Sequence, residues 1–199
     1  MSCLPQTAGQ CKYMLALQST KPIVVVNAPA GTGKTLIACH EAMRYQRIAL
    51  TRPTVAADED LGYLPGDSDS KLAPWTRPMF DVFEKHMSRS QMDRAVRVEP
   101  LGFLRGRTFE RTFILADEMQ NSTRSQMQLL LTRLGPECKL VVTGDLHQSD
   151  VGPDNGLADL LRRIDGLDLA HVETIEMTQA DILRSDAVRE ILTVYGLNV

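Results

Sequence analysis

The chain reads as an α/β fold, a mostly parallel sheet held between two layers of helices. Three observations predict it. Short apolar segments alternate with amphipathic helical ones, the pattern of parallel strands joined by helical crossovers. Several of the apolar segments, Ile23–Asn27, Thr112–Ala116 and Lys139–Thr143 among them, are near-continuous runs, as expected for strands buried on both faces. The first of these runs into a glycine-rich turn that opens a helix, the kind of strand-to-helix junction where such sheets hold ligands.

The elements follow in order. Residues 1–20 form an N-terminal segment with a short helix around Tyr13 to Leu17, and residues 21–199 form one domain. After the strand 23–27 comes a helical run from Thr35 to Tyr45, then a strand at Arg47–Thr51. From Arg52 to Ala73 the chain is rich in Pro, Gly and Asp, centred on Leu61-Gly62-Tyr63-Leu64-Pro65-Gly66-Asp67. A connection that long is uncommon in a compact domain and points to a functional or mobile loop. Strands follow at Val96–Pro100, Thr112–Ala116, Lys139–Thr143 and Val172–Met177. Between them, Thr123 with Gln126 makes a capping box, Met127, Leu130, Leu131 and Leu134 form one stripe, and Gly135-Pro136 stops the helix. The last helix has Ser185 as N-cap, a stripe of Val188, Ile191, Leu192 and Tyr195, and Gly196 as its stop. Both stripes predict core packing.

Composition bounds the function. The chain has 199 residues, 43% hydrophobic and 24% charged, ordinary for a globular domain. Net charge is −3 and aromatic content is 5%. The overall field therefore does not favour nucleic acid, and any such contact has to come from a local basic patch. Arg89, Arg94 and Arg97, with Lys71 and Arg77, are interleaved with Asp81, Glu84 and Asp93 and read as a solvated face. The four cysteines form no C-x-x-C pair and the histidines are scattered, so no zinc site is predicted. With no run long enough to cross a bilayer and thiols read as reduced, the expected location is the cytoplasm.

The turn Ala28-Pro29-Ala30-Gly31-Thr32-Gly33-Lys34-Thr35 is a P-loop. In such a loop backbone N–H groups cradle phosphate oxygens, the lysine (Lys34) reaches the β- and γ-phosphates, and the hydroxyl (Thr35) ligates Mg²⁺. ATP and Mg²⁺ are thus the implied substrate and metal. Phe113-Ile114-Leu115-Ala116-Asp117-Glu118 aims an acidic pair at the same cleft. Asp117 is placed to hold Mg²⁺, directly or through water, and Glu118 to polarise a water for attack on the γ-phosphate. A further apolar strand ends in Thr143-Gly144-Asp145-Leu146-His147-Gln148. Where such a strand lies between the P-loop strand and the acidic one, its polar end reaches the γ-phosphate, and Thr143 and Gln148 are the candidates. Arg105, Arg107 and Arg184 lie in turn-like contexts from which a guanidinium can reach a phosphate, and Arg52 follows the second strand at the sheet's carboxyl edge.

Taken together, these residues resemble the PhoH family of P-loop ATPases, relatives of the superfamily-one helicase core with its RecA-like fold. The resemblance runs from Thr7–Gln10 through the P-loop, Thr51-Arg52-Pro53, Leu61–Asp67, Pro74–Pro78, and Pro100 to Thr108 with its Arg-Gly-Arg-Thr. It continues through Asp117-Glu118-Met119-Gln120-Asn121, Thr143-Gly144-Asp145 with Gln148, and Ile182-Leu183-Arg184-Ser185. Ala28, Ala116 and Met119 depart from the family's usual residues without removing a catalytic group. The resemblance implies that Gln10 contacts adenine, that Gln148 contacts the γ-phosphate, and that Arg184 reaches it from the opposite side of the cleft. Some members carry a nuclease domain or a nucleic-acid-binding extension, and neither is present in these 199 residues.

A γ-phosphate needs charge compensation on both sides, and the sequence has room for one lobe. The expectation is a homo-oligomer, a head-to-tail closed ring such as a hexamer, in which a neighbour supplies Arg105, Arg107 or Arg184 in trans. Two function classes stay open: an ATP-driven motor on RNA or single-stranded DNA, or an ATP-dependent switch or assembly factor acting on protein. A small-molecule kinase fits less well, because the Asp117-Glu118 pair suits water activation. No membrane partner is expected.

Overall fold

The computed structural model describes residues 4–53 and 68–194. Six strands form one sheet: β1 (Ile23–Asn27), β2 (Ile48–Thr51), β3 (Val96–Val98), β4 (Phe113–Ala116), β5 (Lys139–Gly144) and β6 (Val172–Glu176). Their order across the sheet is β3-β2-β4-β5-β1-β6, and every neighbouring pair is parallel. The helices are α1 (Ala8–Gln18), α2 (Lys34–Ala42), α3 (Ser68–Phe83), α4 (Arg89–Ala95), α5 (Arg124–Leu131), α6 (Gly156–Ile164) and α7 (Asp186–Val194). The six strands of the sequence reading are present to within two residues at either end, and β5 does separate β1 from β4.

Alternation within each strand builds two cores. On one face Val24, Val26, Phe113, Leu115 and Val141 pack with Tyr13, Leu17, Ile37 and Met79 from α1, α2 and α3. On the other, Val25, Ile114, Leu140 and Val142 pack with Met127, Leu130 and Leu157 from α5 and α6. Each such side chain, fully buried, contributes about 1.5–3 kcal/mol of transfer free energy, so both faces must be covered. The N-terminal helix is part of this core: Tyr13 and Leu17 are buried, and Lys139 closes its C-terminal end by donating to the carbonyls of Ala16, Ser19 and Lys21 at 3.0, 3.0 and 2.7 Å. A cation there also complements the helix dipole.

Two expectations are corrected. Residues 68–73, read as loop, lie in α3, which continues through Pro74 and Pro78. Prolines argue against helix at sequence level because they remove a donor and crowd the preceding turn, and here tertiary packing of Met79 and Phe83 prevails. Two residues of the α7 stripe are not core: Val188 and Ile191 are 43% and 56% exposed. The capping box at Thr123 and Gln126 forms as predicted, and Val188 N donates to the Ser185 hydroxyl at 3.4 Å. The segment Leu61–Asp67, Tyr195 and Gly196 lie outside the described residues.

Candidate functional site

Parallel register brings four strand ends together. Asn27 pairs with Gly144, Ala116 with Val142, and Thr51 with Ala116, so the segments that follow β1, β5, β4 and β2 open on one edge. That edge carries the 28–35 turn, the 145–148 turn, the Asp117-Glu118 pair and Arg52.

The turn is shaped by what holds its carbonyls. Pro29 O accepts the Thr32 hydroxyl at 2.8 Å, Ala30 O accepts Arg184 Nη2 at 3.3 Å, Gly31 O accepts Leu183 N at 3.1 Å, and Thr32 O accepts Gln10 Nε2 at 2.9 Å. Four successive carbonyls of the turn are thus taken by protein donors. Positive φ at Gly31 (85°) and Gly33 (78°) makes that course possible without steric cost. Among the described residues no protein acceptor takes the amides of Gly31, Thr32, Gly33, Lys34 or Thr35. Lys34, in the first turn of α2, is 7% exposed and makes no ion pair among the described residues. A buried ammonium beside a nest of amides is an anion site by its electrostatics.

Opposite it, Asp117 is buried. Its carboxylate accepts the Thr35 hydroxyl at 3.1 and 3.2 Å and the Thr143 hydroxyl in a short bond. Burial pushes its pKa up; the Thr143 hydroxyl pulls down, neighbouring Glu118 pushes up, and Arg52 and Lys34 pull down. The same burial, aided by the Asp117 charge, raises the pKa of Tyr13 and Cys39 beneath it. Thr35 and Asp117 offer hard oxygens in contact with one another. Among the described residues no cluster of three His, Cys, Asp or Glu exists to cage a metal. Two hard oxygens next to a phosphate site suit Mg²⁺, which commonly keeps waters and phosphate oxygens as its other ligands.

Glu118 adopts a left-handed backbone, φ 55° and ψ 37°, unusual for a side chain of its size. Its Oε2 accepts Gln120 Nε2 at 2.6 Å and its Oε1 lies 4.0 Å from Arg52 Nη2. Strain of this kind persists where surrounding contacts over-determine it.

Not every expected residue converges. Gln10 is buried between Thr32 O and Gln6 N, the latter donating to its Oε1 at 2.8 Å, so it braces the turn. Gln148 is exposed on the turn after β5, whereas Thr143 faces Asp117 rather than the open edge. Arg184 lies against the turn of its own chain: a Cβ on Gly31 would stand 2.9 Å from its Nε. Arg105 is exposed, and Arg107 pairs with Glu99 and stacks over Phe109 at 5.8 Å. With Arg47, Arg94 and Arg97, Arg107 lines a cavity of about 340 Å³, and no residue of the 28–35 turn contributes to it. Arg77 and Arg89 pair with Asp81, Glu84 and Asp93, the solvated face that was expected.

Three polar residues went unread in the sequence. Asp145 accepts Ala30 N at 3.2 Å and His147 N at 3.0 Å, Asn27 Oδ1 accepts Leu146 N at 3.2 Å, and Asp181 accepts Gly9 N and Thr178 N, each at 2.9 Å. Asp145 sits directly after Thr143-Gly144 and could have been suspected from that motif; Asp181 carries no local signal.

The sequence pattern of the PhoH-like protein family matches residues 2–196. The chain belongs to that family. A PhoH-like protein of Bacillus subtilis is 36% identical over 206 residues, covering 96% of this chain and 63% of that protein. The PhoH-like protein of Mycobacterium tuberculosis is 39% identical, covering 96% of this chain and 57% of its own length. Protein PhoH of Escherichia coli is 36% identical, with 97% and 58% covered. This PhoH-like chain therefore spans less than two thirds of the length of these curated relatives. Its fold, a three-layer α/β/α arrangement of the RecA-like P-loop class, is also that of the large terminase of a thermophilic bacteriophage. That match has a TM-score of 0.61 at 12% identity and covers 96% of this chain and 50% of that one. Among the described residues no helix is long and apolar enough to cross a membrane.

Proposed function

We propose that this PhoH-like chain binds ATP with Mg²⁺ and hydrolyses it, coupling turnover to remodelling of RNA or single-stranded DNA as a head-to-tail ring. One observation carries the reading: the amides of residues 31–35 have no protein acceptor among the described residues, Lys34 in the same turn is buried, and Thr35 touches Asp117 of the acidic pair.

The residues then divide the work. The amides and Lys34 hold the β- and γ-phosphates, and Gln10 fixes the turn beside the base. The Thr35 hydroxyl and Asp117, directly or through water, would hold Mg²⁺, which would supply charge neutralisation for those phosphates. Glu118 accepts the proton of the attacking water through Oε1, since Oε2 is tied to Gln120. Gln148, on the turn after β5, reports the γ-phosphate. Arg184 serves its own site, from its place over Ala30. Arg105 is exposed and Arg107 pairs with Glu99, and in the ring either would serve a neighbour's nucleotide.

The test is phosphate release by purified protein. Lys34→Ala is expected to abolish nucleotide binding. Glu118→Gln is expected to retain ATP and turn over about 10²–10⁴-fold more slowly, the range of general-base catalysis. Specific activity is expected to rise with protein concentration; full activity in dilute monomer refutes the ring. Net charge −3 and few aromatics favour a second reading, an ATP-dependent switch acting on protein. Stimulation by poly(U) or single-stranded DNA that falls steeply with salt decides for the first, and its absence for the second.

A further inference from the structure

Gln120 is 1% exposed and spans the floor of the cleft. Its Oε1 accepts Asp145 N at 3.1 Å and its Nε2 donates to Glu118 Oε2 at 2.6 Å, with Gln148 O at 3.5 Å from the same nitrogen. The amide's orientation is fixed by chemistry: a backbone N–H can only donate and a carboxylate can only accept. A carboxamide alone among the ordinary side chains offers a carbonyl acceptor and an NH₂ donor on one planar group, and asparagine is shorter by one methylene.

The surroundings are built to admit it. A Cβ on Gly144 would stand 2.7 Å from Gln120 Oε1 and 3.1 Å from Gln120 N, so glycine there leaves the amide its place. The Ser149 hydroxyl donates to Gln120 O at 2.8 Å. Asp145, whose backbone N–H donates to Gln120 Oε1, accepts Ala30 N through its side-chain Oδ2 at 3.2 Å. A continuous chain of contacts therefore runs Ala30–Asp145–Gln120–Glu118, from the phosphate-binding turn to the carboxylate across the cleft.

We propose that Gln120 is a positioning residue: through its bond to Oε2 it holds Glu118 in its left-handed pose with Oε1 toward the γ-phosphate, and through Asp145 it ties that pose to the 28–35 turn. The inference rests on the proposed role of Glu118 as the base. Gln120 touches no reacting atom; it restricts one carboxylate oxygen so that the other is aimed.

The test compares Gln120→Glu and Gln120→Leu with wild type and with Glu118→Gln. Gln120→Glu keeps the acceptor for Asp145 N and loses the donor to Glu118; Gln120→Leu loses both. Turnover, affinity for a fluorescent ATP analogue and melting temperature are measured for each. Expected is a fall in kcat of roughly 10–100-fold in both variants, with nucleotide Kd within about twofold of wild type and Gln120→Glu still folded. In a Glu118→Gln background, Gln120→Leu is expected to slow turnover no further, since the two act as a unit. Wild-type kcat in Gln120→Glu, a loss of nucleotide affinity matching the loss of rate, or full additivity with Glu118→Gln each overturns the inference. If Glu118→Gln itself turns over normally, the base assignment is what fails; if Glu118→Gln is slow and Gln120→Glu is not, only the role of Gln120 fails.

Discussion

Thr143→Val isolates the electrostatics of the acidic strand end. The substitution keeps the shape of a fully buried side chain and removes the hydroxyl that donates to Asp117. A hydrogen bond to a charged group contributes about 1.5–3 kcal/mol. Asp117 already has its pKa raised by burial, opposed by that same hydroxyl, so removing it raises the pKa further. Metal binding requires the ionised carboxylate. In wild type, affinity for ATP with Mg²⁺ therefore falls on acidification, and in Thr143→Val the fall begins at higher pH. On the acid side of both midpoints the variant binds more weakly by the full ~1.5–3 kcal/mol, roughly 10–150-fold. At alkaline pH the two converge, and ATP without Mg²⁺ binds both alike. The sign for stability is fixed too. A carboxylate whose folded pKa is raised stabilises the fold below its unfolded pKa, and this contribution is lost as pH rises through the folded value. Thr143→Val therefore destabilises the nucleotide-free protein more at neutral pH than at acid pH. Calorimetric titration with ATP, with and without Mg²⁺, from acid to alkaline pH reads the effect. Identical pH profiles for variant and wild type refute the assignment of Asp117, held by the Thr143 hydroxyl, to the metal.

Two further perturbations probe the frame. Asp181→Asn replaces a carboxylate that accepts Gly9 N and Thr178 N with an amide that can accept only one of them. Although burial pushes its pKa up, the hydrogen bonds from Thr7, Thr178 and Gly9 hold Asp181 below the usual range. Its contribution is thus present above the unfolded pKa and lost as pH falls through the folded one. The variant is expected to lose about 1–3 kcal/mol in urea unfolding at neutral pH, with the difference closing toward acid; a constant difference refutes the ionic account. Gly31→Ala forces a side chain into φ 85° and sets its Cβ 2.9 Å from Arg184 Nε. About 1–2 kcal/mol of backbone strain is expected in melting curves, and ATP affinity at least about tenfold weaker; wild-type affinity refutes the claim that this turn's course creates the site.

Much of the site was legible from sequence because its chemistry is local. The 28–35 turn, the acidic pair after β4 and the polar end of β5 each lie within a few residues of an apolar strand, and strand periodicity places them at one end of it. The four inner strands, β2, β4, β5 and β1, were equally legible, since burial on both faces demands near-continuous apolar runs. The start of α3 was hidden because prolines at 74 and 78 signal a break that tertiary packing overrides. The exposure of Val188 and Ile191 was hidden because periodicity reports that a helix has an apolar face, never what covers it.

Sequence by itself determined the alternation of strands and helices, the phosphate-type turn and the carboxylates that follow β4, because φ preferences, side-chain period and turn chemistry act over a few residues. Only the tertiary structure decided which carbonyls hold that turn open, that Arg184 folds over its own loop, and that Asp145 and Gln120 join the loop to Glu118. Those contacts link residues as far as 154 positions apart. Nothing in local propensity encodes a hydrogen bond between them; it exists because six parallel strands in one order bring their carboxyl ends to the same edge.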